Sequence, residues 1–63
     1  MIKQFDTVRL KHGLPAEGLP AGTLAAVVDV YHEPTAGYEI EVVGADGRTI
    51  FLGSVEADQV ELA

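Results

Sequence analysis

A chain of 63 residues with ten acidic and four basic side chains has room for one small domain, residues 1–63, and carries a formal net charge of −6. This charge disfavours binding to nucleic-acid phosphates, and 48% hydrophobic residues with no cysteine indicate a globular domain without disulfides or thiolate metal sites. No segment has the apolar run of a signal peptide or the roughly 20 apolar residues of a membrane span, so we expect a cytoplasmic protein.

The first predicted strand covers residues 5–11, where Val8 and Leu10 alternate with polar side chains. Asp6 falls on the apolar side of this strand. Because a short carboxylate can bond to nearby backbone, we expect Asp6 to accept a hydrogen bond from an N–H group near the start of the strand.

Residues 12–21 contain Gly-Leu-Pro-Ala twice and are predicted to form a loop. Pro15 and Pro20 each fix φ and lack an N–H donor, which disfavours both a helix and a regular strand. Leu14 and Leu19 are the apolar residues expected to anchor this loop against one end of the core.

The strongest strand pattern runs from Gly22 to Tyr31, and a second follows from Tyr38 to Val43 after a turn that contains Pro34. On the first of these strands one predicted face carries Leu24, Ala26, Val28 and Val30, and the other carries Ala25, Val27, Asp29 and Tyr31. On the second strand Tyr38, Ile40 and Val42 alternate with glutamates.

Asp46-Gly47 between two apolar runs predicts a two-residue type I′ hairpin turn. That turn places Val43 opposite Ile50 and Val42 opposite Phe51. Matching the buried faces of the preceding hairpin then places Val30 opposite Ile40, Val28 opposite Val42 and Val27 opposite Val43. The predicted core face is Val28, Val30, Ile40, Val42 and Phe51.

This register leaves Val27, Val43 and Ile50 in one row on the outer face. Two interpretations stay open: a bulge or bend near Gly44 changes which face is buried, or the row is an exposed strip that docks a partner. In the second case Tyr31 and Tyr38 are the expected aromatic anchors, because aromatic residues tend to dominate interface energetics.

Residues 54–59 are predicted to form one helical turn capped by Ser54, followed by a short last strand over residues 60–62. The sequence therefore predicts an all-β fold, a five-stranded, partly open barrel of the Src-homology-3-like kind with a short helical turn before the last strand.

The chain resembles the bacterial family called domain of unknown function 4926. The resemblance lies in Phe5-Asp6-Thr7-Val8-Arg9-Leu10, Leu14-Pro15, Glu17-Gly18-Leu19, Gly22-Thr23, the two Val-rich strands, Asp46-Gly47-Arg48-Thr49 and Ala57-Asp58-Gln59-Val60. It implies a compact Src-homology-3-like barrel in a stand-alone bacterial protein, and it implies no chemistry.

Candidate chemical groups are few. His12, His32 and Glu33 could ligate a metal if they converged, although two solvated loop histidines are the favoured interpretation, and we expect no metal or other cofactor. Asp29 and Glu41 are predicted to lie opposite each other on the outer face as a solvated pair. No Ser-His-Asp arrangement or phosphate-binding loop is present, and so small a domain has little room for a ligand pocket, so we expect no enzymatic activity.

These observations favour a small acidic protein-interaction module, of the adaptor, immunity-protein or antitoxin kind, that binds another protein. A basic partner encoded nearby would complement the charge of −6. The alternative is RNA or ribosome-associated binding through the loops at residues 12–21 and 32–37. A homo-oligomer formed by pairing of exposed strand edges is the third hypothesis.

Overall fold

The computed structural model describes residues 1–63, which form a five-stranded antiparallel sheet and two short 3-10 turns. The strands are β1 (Thr7–Leu10), β2 (Leu24–Tyr31), β3 (Gly37–Val43), β4 (Thr49–Glu56) and β5 (Val60–Leu62), and the turns are Pro15–Glu17 and Ala57–Gln59. The spatial order is β4-β3-β2-β1-β5, so β4 and β5 are the two edges of a partly open sheet. The predicted all-β, five-stranded architecture with a helical turn before the last strand is confirmed.

The start of the chain follows the sequence pattern. Val8 and Leu10 are almost fully buried, as their alternation predicts. The Asp6 carboxylate accepts a hydrogen bond of 2.9 Å from the backbone N–H of Lys3, which confirms the local role expected for it.

None of the helical segments is long and apolar enough to cross a lipid bilayer.

The loop between β1 and β2 is tied together at Leu14 and Leu19. The Leu14 N–H donates to the Leu19 carbonyl at 2.7 Å, the Leu19 N–H donates back at 3.1 Å, and Leu19 is buried in the core. Both leucines are therefore anchors, as predicted. The 3-10 turn between them was not expected, but it begins at Pro15, whose fixed φ suits the first position of a helical turn.

A bulge at Val28 overturns the predicted pairing of β2 with β3. Val27 lies opposite Ile40, and the register then shifts so that Asp29 lies opposite Glu39. The extra residue reverses which side chains point inward, because side chains alternate strictly along a regular strand. The predicted pairings Val30 with Ile40, Val28 with Val42 and Val27 with Val43 are wrong: Val30 lies opposite Tyr38, two residues from its predicted partner, and the bulge adds one more residue of shift at Val27.

A second irregularity lies at the β3–β4 hairpin. Val42 lies opposite Phe51, as predicted, but Val43 lies opposite Thr49 because Ile50 is an extra residue in β4. The loop is closed by a hydrogen bond of 2.8 Å from the Gly44 N–H to the Arg48 carbonyl, and only Gly47 within it has a positive φ, at 85°. The hairpin is thus a three-residue loop with a left-handed glycine, and the predicted two-residue type I′ turn is wrong.

The core lies on the inner face of the sheet. Its buried side chains are Val8, Leu10, Leu19, Ala25, Val27, Ile40, Val42, Val55 and Val60, with Ile2, Leu14, Val30, Tyr38 and Phe51 packed around them. Of the predicted core face, Ile40 and Val42 are buried and Val30 and Phe51 are half-buried, whereas Val28 stands outside the cluster as the bulge residue. The predicted helical turn over residues 54–59 with Ser54 as its cap is wrong in its bounds: the turn covers Ala57–Gln59, its N-cap is Glu56, and Ser54 lies within β4.

Candidate partner-binding face

The face of β2, β3 and β4 that points away from the core divides into two halves. The apolar half consists of Leu24, Ala26, Val43, Ile50 and Leu52, and the acidic half consists of Asp29, Tyr31, Glu39, Ser54 and Glu56. Strand pairing produces this division. Ala26, Glu41 and Leu52 form one cross-strand row, and Asp29, Glu39 and Ser54 form another farther along the same strands.

Large apolar side chains of the apolar half are open to solvent. Leu24 is 57% exposed, Val43 50%, and Ile50 and Leu52 59% each. Glu41 lies between Ala26 and Leu52, where its carboxylate accepts a hydrogen bond from the Thr49 hydroxyl. A group of neighbouring exposed apolar side chains with a polar margin is typical of a surface that docks another macromolecule.

The acidic half is organised around the Glu39 carboxylate. One of its oxygens accepts hydrogen bonds from the Ser54 hydroxyl at 2.9 Å and from the Tyr31 hydroxyl at 3.2 Å. Asp29, directly opposite Glu39, accepts a hydrogen bond of 2.8 Å from the Val30 N–H. Two like charges face each other here, and each carboxylate is held by hydrogen-bond donors. The predicted pair of Asp29 with Glu41 is wrong: Asp29 lies opposite Glu39, and Glu41 lies opposite Ala26.

The surroundings of Tyr31 favour its neutral phenol. Desolvation of the hydroxyl raises the pKa of Tyr31 above its ordinary value of 10.0, and the hydrogen bond to Glu39 adds to this effect. The negative charges of Glu39 and Asp29 act in the same direction, whereas Ser54 opposes it. Tyr31 is therefore an uncharged hydrogen-bond donor at neutral pH, beside two carboxylates.

A surface groove of about 450 Å³ opens beside the acidic half. Among its lining residues are Tyr31, Glu33, Gly37, Ser54 and Glu56, and no lysine, arginine or histidine lines it. Its volume falls within the roughly 300–1,000 Å³ typical of ligand sites, so the expectation that this small domain has little room for a pocket is wrong. The groove combines an aromatic ring with carboxylates, a combination that suits a cationic group.

Three of the five predicted partner-binding residues are exposed on the outer face: Tyr31, Val43 and Ile50. Val27 is fully buried, so its assignment to an exposed row is wrong, and the bulge at Val28 is the reason. Tyr38 is half-buried and packs against the core. Sequence reasoning missed Leu24 because the bulge at Val28, which has no distinct signal in the residue pattern, changes the face that this part of β2 buries. It also missed Leu52, although the predicted pairing of Val42 with Phe51 already places Leu52 on the outer face.

The histidines do not form a metal site, and the arginines are engaged in ion pairs. No three His, Cys, Asp or Glu side chains come together to hold a metal ion, so His12, His32 and Glu33 do not converge. Both arginines pair with carboxylates: Arg9 with Glu61 at 3.2 Å and Arg48 with Asp46 at 3.6 Å.

These features define a small all-β protein built on one partly open antiparallel sheet, with an outer face that is apolar at one end and acidic at the other. The chain belongs to the family described as domain of unknown function DUF4926, whose model matches residues 4–62, nearly the whole chain. The family resemblance recognised in the sequence is therefore confirmed. No curated protein and no solved structure matches the chain.

Proposed function

We propose that this protein is a non-enzymatic interaction module that docks a partner protein on the outer face of β2, β3 and β4. The observation that carries the proposal is the cluster of exposed apolar side chains at Leu24, Val43, Ile50 and Leu52. Removing apolar surface from water contributes about 25 cal/mol per Å², so a complex in which a partner covers this cluster is stabilised. The acidic half supplies charged groups that select among partners.

The arrangement of polar groups on the outer face supports binding over catalysis. Ser54 donates its hydroxyl hydrogen to Glu39, and no histidine lines the adjacent groove to activate it as a nucleophile. The Tyr31 hydroxyl donates to the same carboxylate oxygen. These hydrogen bonds orient Tyr31 and Ser54 as fixed recognition groups.

Two features of the chain support a cytoplasmic role with a basic protein partner. The absence of cysteine fits a reducing compartment, and the net charge of −6 attracts positively charged surfaces. The same charge opposes RNA binding, and both arginines already pair with carboxylates. The strand order and the 3-10 turn before β5 support the Src-homology-3-like barrel as the architecture that presents this face.

The test compares capture of host proteins by the wild type and by a double variant, Ile50→Ser with Leu52→Ser. Both side chains are exposed, so the variant should fold normally while losing the apolar surface. We expect one dominant protein to be captured by the wild type and lost with the variant, as measured by quantitative mass spectrometry. The control is Leu62→Ser, an exposed apolar residue on β5, outside the proposed face. Equal capture by all three proteins, or no capture above background, would overturn the proposal.

A further inference from the structure

Strand β4 is an edge whose outward backbone groups have no partner. It pairs only with β3. Outside that ladder, no backbone hydrogen bond involves residues 49–55. The N–H and C=O groups that point away from β3 are therefore free to bind another strand.

The two edges of the sheet differ in how well they are protected. β5 has only three residues, and the Leu62 carbonyl accepts a hydrogen bond of 3.2 Å from the Arg9 guanidinium. β4 has eight residues, Thr-Ile-Phe-Leu-Gly-Ser-Val-Glu, with neither the lysine nor the proline that commonly blocks edge pairing. Its bulge at Ile50 lies near one end and leaves Phe51 to Glu56 in regular pairing with β3. β4 is thus the edge that is open to strand addition.

The side chains along β4 specify the chemistry of such a strand. On the outer face the strand begins with the exposed apolar residues Ile50 and Leu52 and continues through Ser54 to Glu56. The groove beside Glu56 also contains Tyr31 and Glu33 and has no cationic lining residue. An added strand therefore meets an apolar surface at one end of β4 and an acidic, aromatic surface at the other.

We propose that β4 takes an extended segment of a basic partner protein as a sixth strand of the sheet, with apolar side chains beside Ile50 and Leu52 and a lysine or arginine in the groove between Tyr31 and Glu56. Main-chain hydrogen bonds to the strand edge supply affinity, and the alternate side chains supply specificity. A cation over the Tyr31 ring gains cation–π attraction in addition to its attraction to the carboxylates. This inference rests on the proposed docking function and names the partner's chemistry.

Charge argues against a second copy of the chain as the occupant of this edge. Each copy carries a net charge of −6, and β4 contains no basic residue to place in the groove of its neighbour. Two copies would therefore repel each other where a basic segment is attracted.

The experiment uses a synthetic peptide of about nine residues, a typical strand length, with valine at alternate positions in one half and arginine at alternate positions in the other. Threonine fills the remaining positions, and the peptide is made in both sequence directions. The matched control replaces each arginine by citrulline, which has nearly the same shape without the charge. Binding is followed by NMR titration, and strand pairing by hydrogen exchange of the amides of residues 51–55. Light scattering of the free protein reports whether it is a monomer.

We expect the arginine peptide to bind in one direction, to slow exchange of the β4 amides that point away from β3, and to weaken as salt is added. The citrulline peptide should bind more weakly. Glu56→Gln should weaken binding of the arginine peptide about two- to fivefold, the range of an exposed ion pair, while Glu17→Gln in the distant 3-10 turn should leave it unchanged.

The contrary outcomes separate this inference from the proposed function. Resonance shifts at Leu24 and Val43 without protection of the β4 amides would overturn strand addition and leave docking on the outer face intact. Equal binding of the arginine and citrulline peptides would overturn the basic specificity. Protection of the β4 amides in a peptide-free dimer would identify a second copy as the occupant. Absence of binding by either peptide direction at millimolar concentration would overturn the inference, whereas the docking proposal is judged by the capture experiment.

Discussion

Val27 lies directly opposite Ile40 in the β2–β3 ladder, and both side chains are fully buried at the centre of the core. Val27→Ala should destabilise the protein by about 2 kcal/mol, because it removes buried methyl groups and leaves a cavity. For a domain of this size such a loss lowers the melting temperature by roughly 10 °C, which thermal unfolding followed by circular dichroism can measure. The control is Val43→Ala, a half-exposed position on the outer face, for which we expect a change of less than about 0.5 kcal/mol. Similar losses of stability in Val27→Ala and Val43→Ala would contradict the bulge at Val28, which buries Val27.

Gly47 is the left-handed residue of the β3–β4 hairpin, with φ of 85°. Gly47→Val should destabilise the protein by at least about 1–2 kcal/mol, because a β-branched residue fits this region of φ poorly. The matched control is Gly47→Asn, since asparagine tolerates the left-handed conformation much better. Chemical denaturation of both variants tests the loop. Equal stability of Gly47→Val and the wild type would be incompatible with a left-handed conformation at Gly47.

Tyr31 should titrate above its ordinary pKa of 10.0, because desolvation and the hydrogen bond to Glu39 both favour the neutral phenol. A raised folded-state pKa contributes stability that is fully present below pH 10 and is lost as the pH rises through the folded-state value. In the Tyr38→Phe variant Tyr31 is the sole tyrosine, so absorbance at high pH reports it alone. Adding Glu39→Gln should lower the midpoint towards 10.0. A midpoint at or below 10.0 in Tyr38→Phe would contradict the cluster of Tyr31, Glu39 and Ser54.

Phe5 adopts a positive φ of 75° in the turn that precedes β1, and its side chain is 79% exposed. The turn is closed by a hydrogen bond of 3.0 Å from the Asp6 N–H to the Lys3 carbonyl, which puts Phe5 at the position where type II turns favour glycine or asparagine. Phe5→Asn should therefore stabilise the protein by up to about 1 kcal/mol, measured as a higher melting temperature. Phe5→Ala removes the ring without relieving the strain and should change stability by less than about 0.5 kcal/mol. If alanine stabilised as much as asparagine, backbone strain would not be the cause.

The residue pattern was sufficient for the order of the five strands, but it missed the 3-10 turn at Pro15–Glu17 and began the last helical turn three residues too early. Alternation identified Val8 and Leu10 as core residues, and the two anchors Leu14 and Leu19 followed from their place in a loop rich in proline and glycine. The predicted site was only partly right: Tyr31, Val43 and Ile50 are exposed, but the buried Val27 was assigned to the same row. Leu24, which is exposed, was predicted to share a strand face with the core residues Val28 and Val30.

Local sequence therefore determined which segments form strands, because alternation, turn residues and prolines act within a few neighbouring positions. Only the tertiary structure decided which face the first half of β2 buries. An extra residue at Val28 and another at Ile50 shift the pairing by one position, and one position exchanges the inner and outer faces of a strand. The shift at Val28 buries Val27 and places Leu24 on the face that we propose binds the partner.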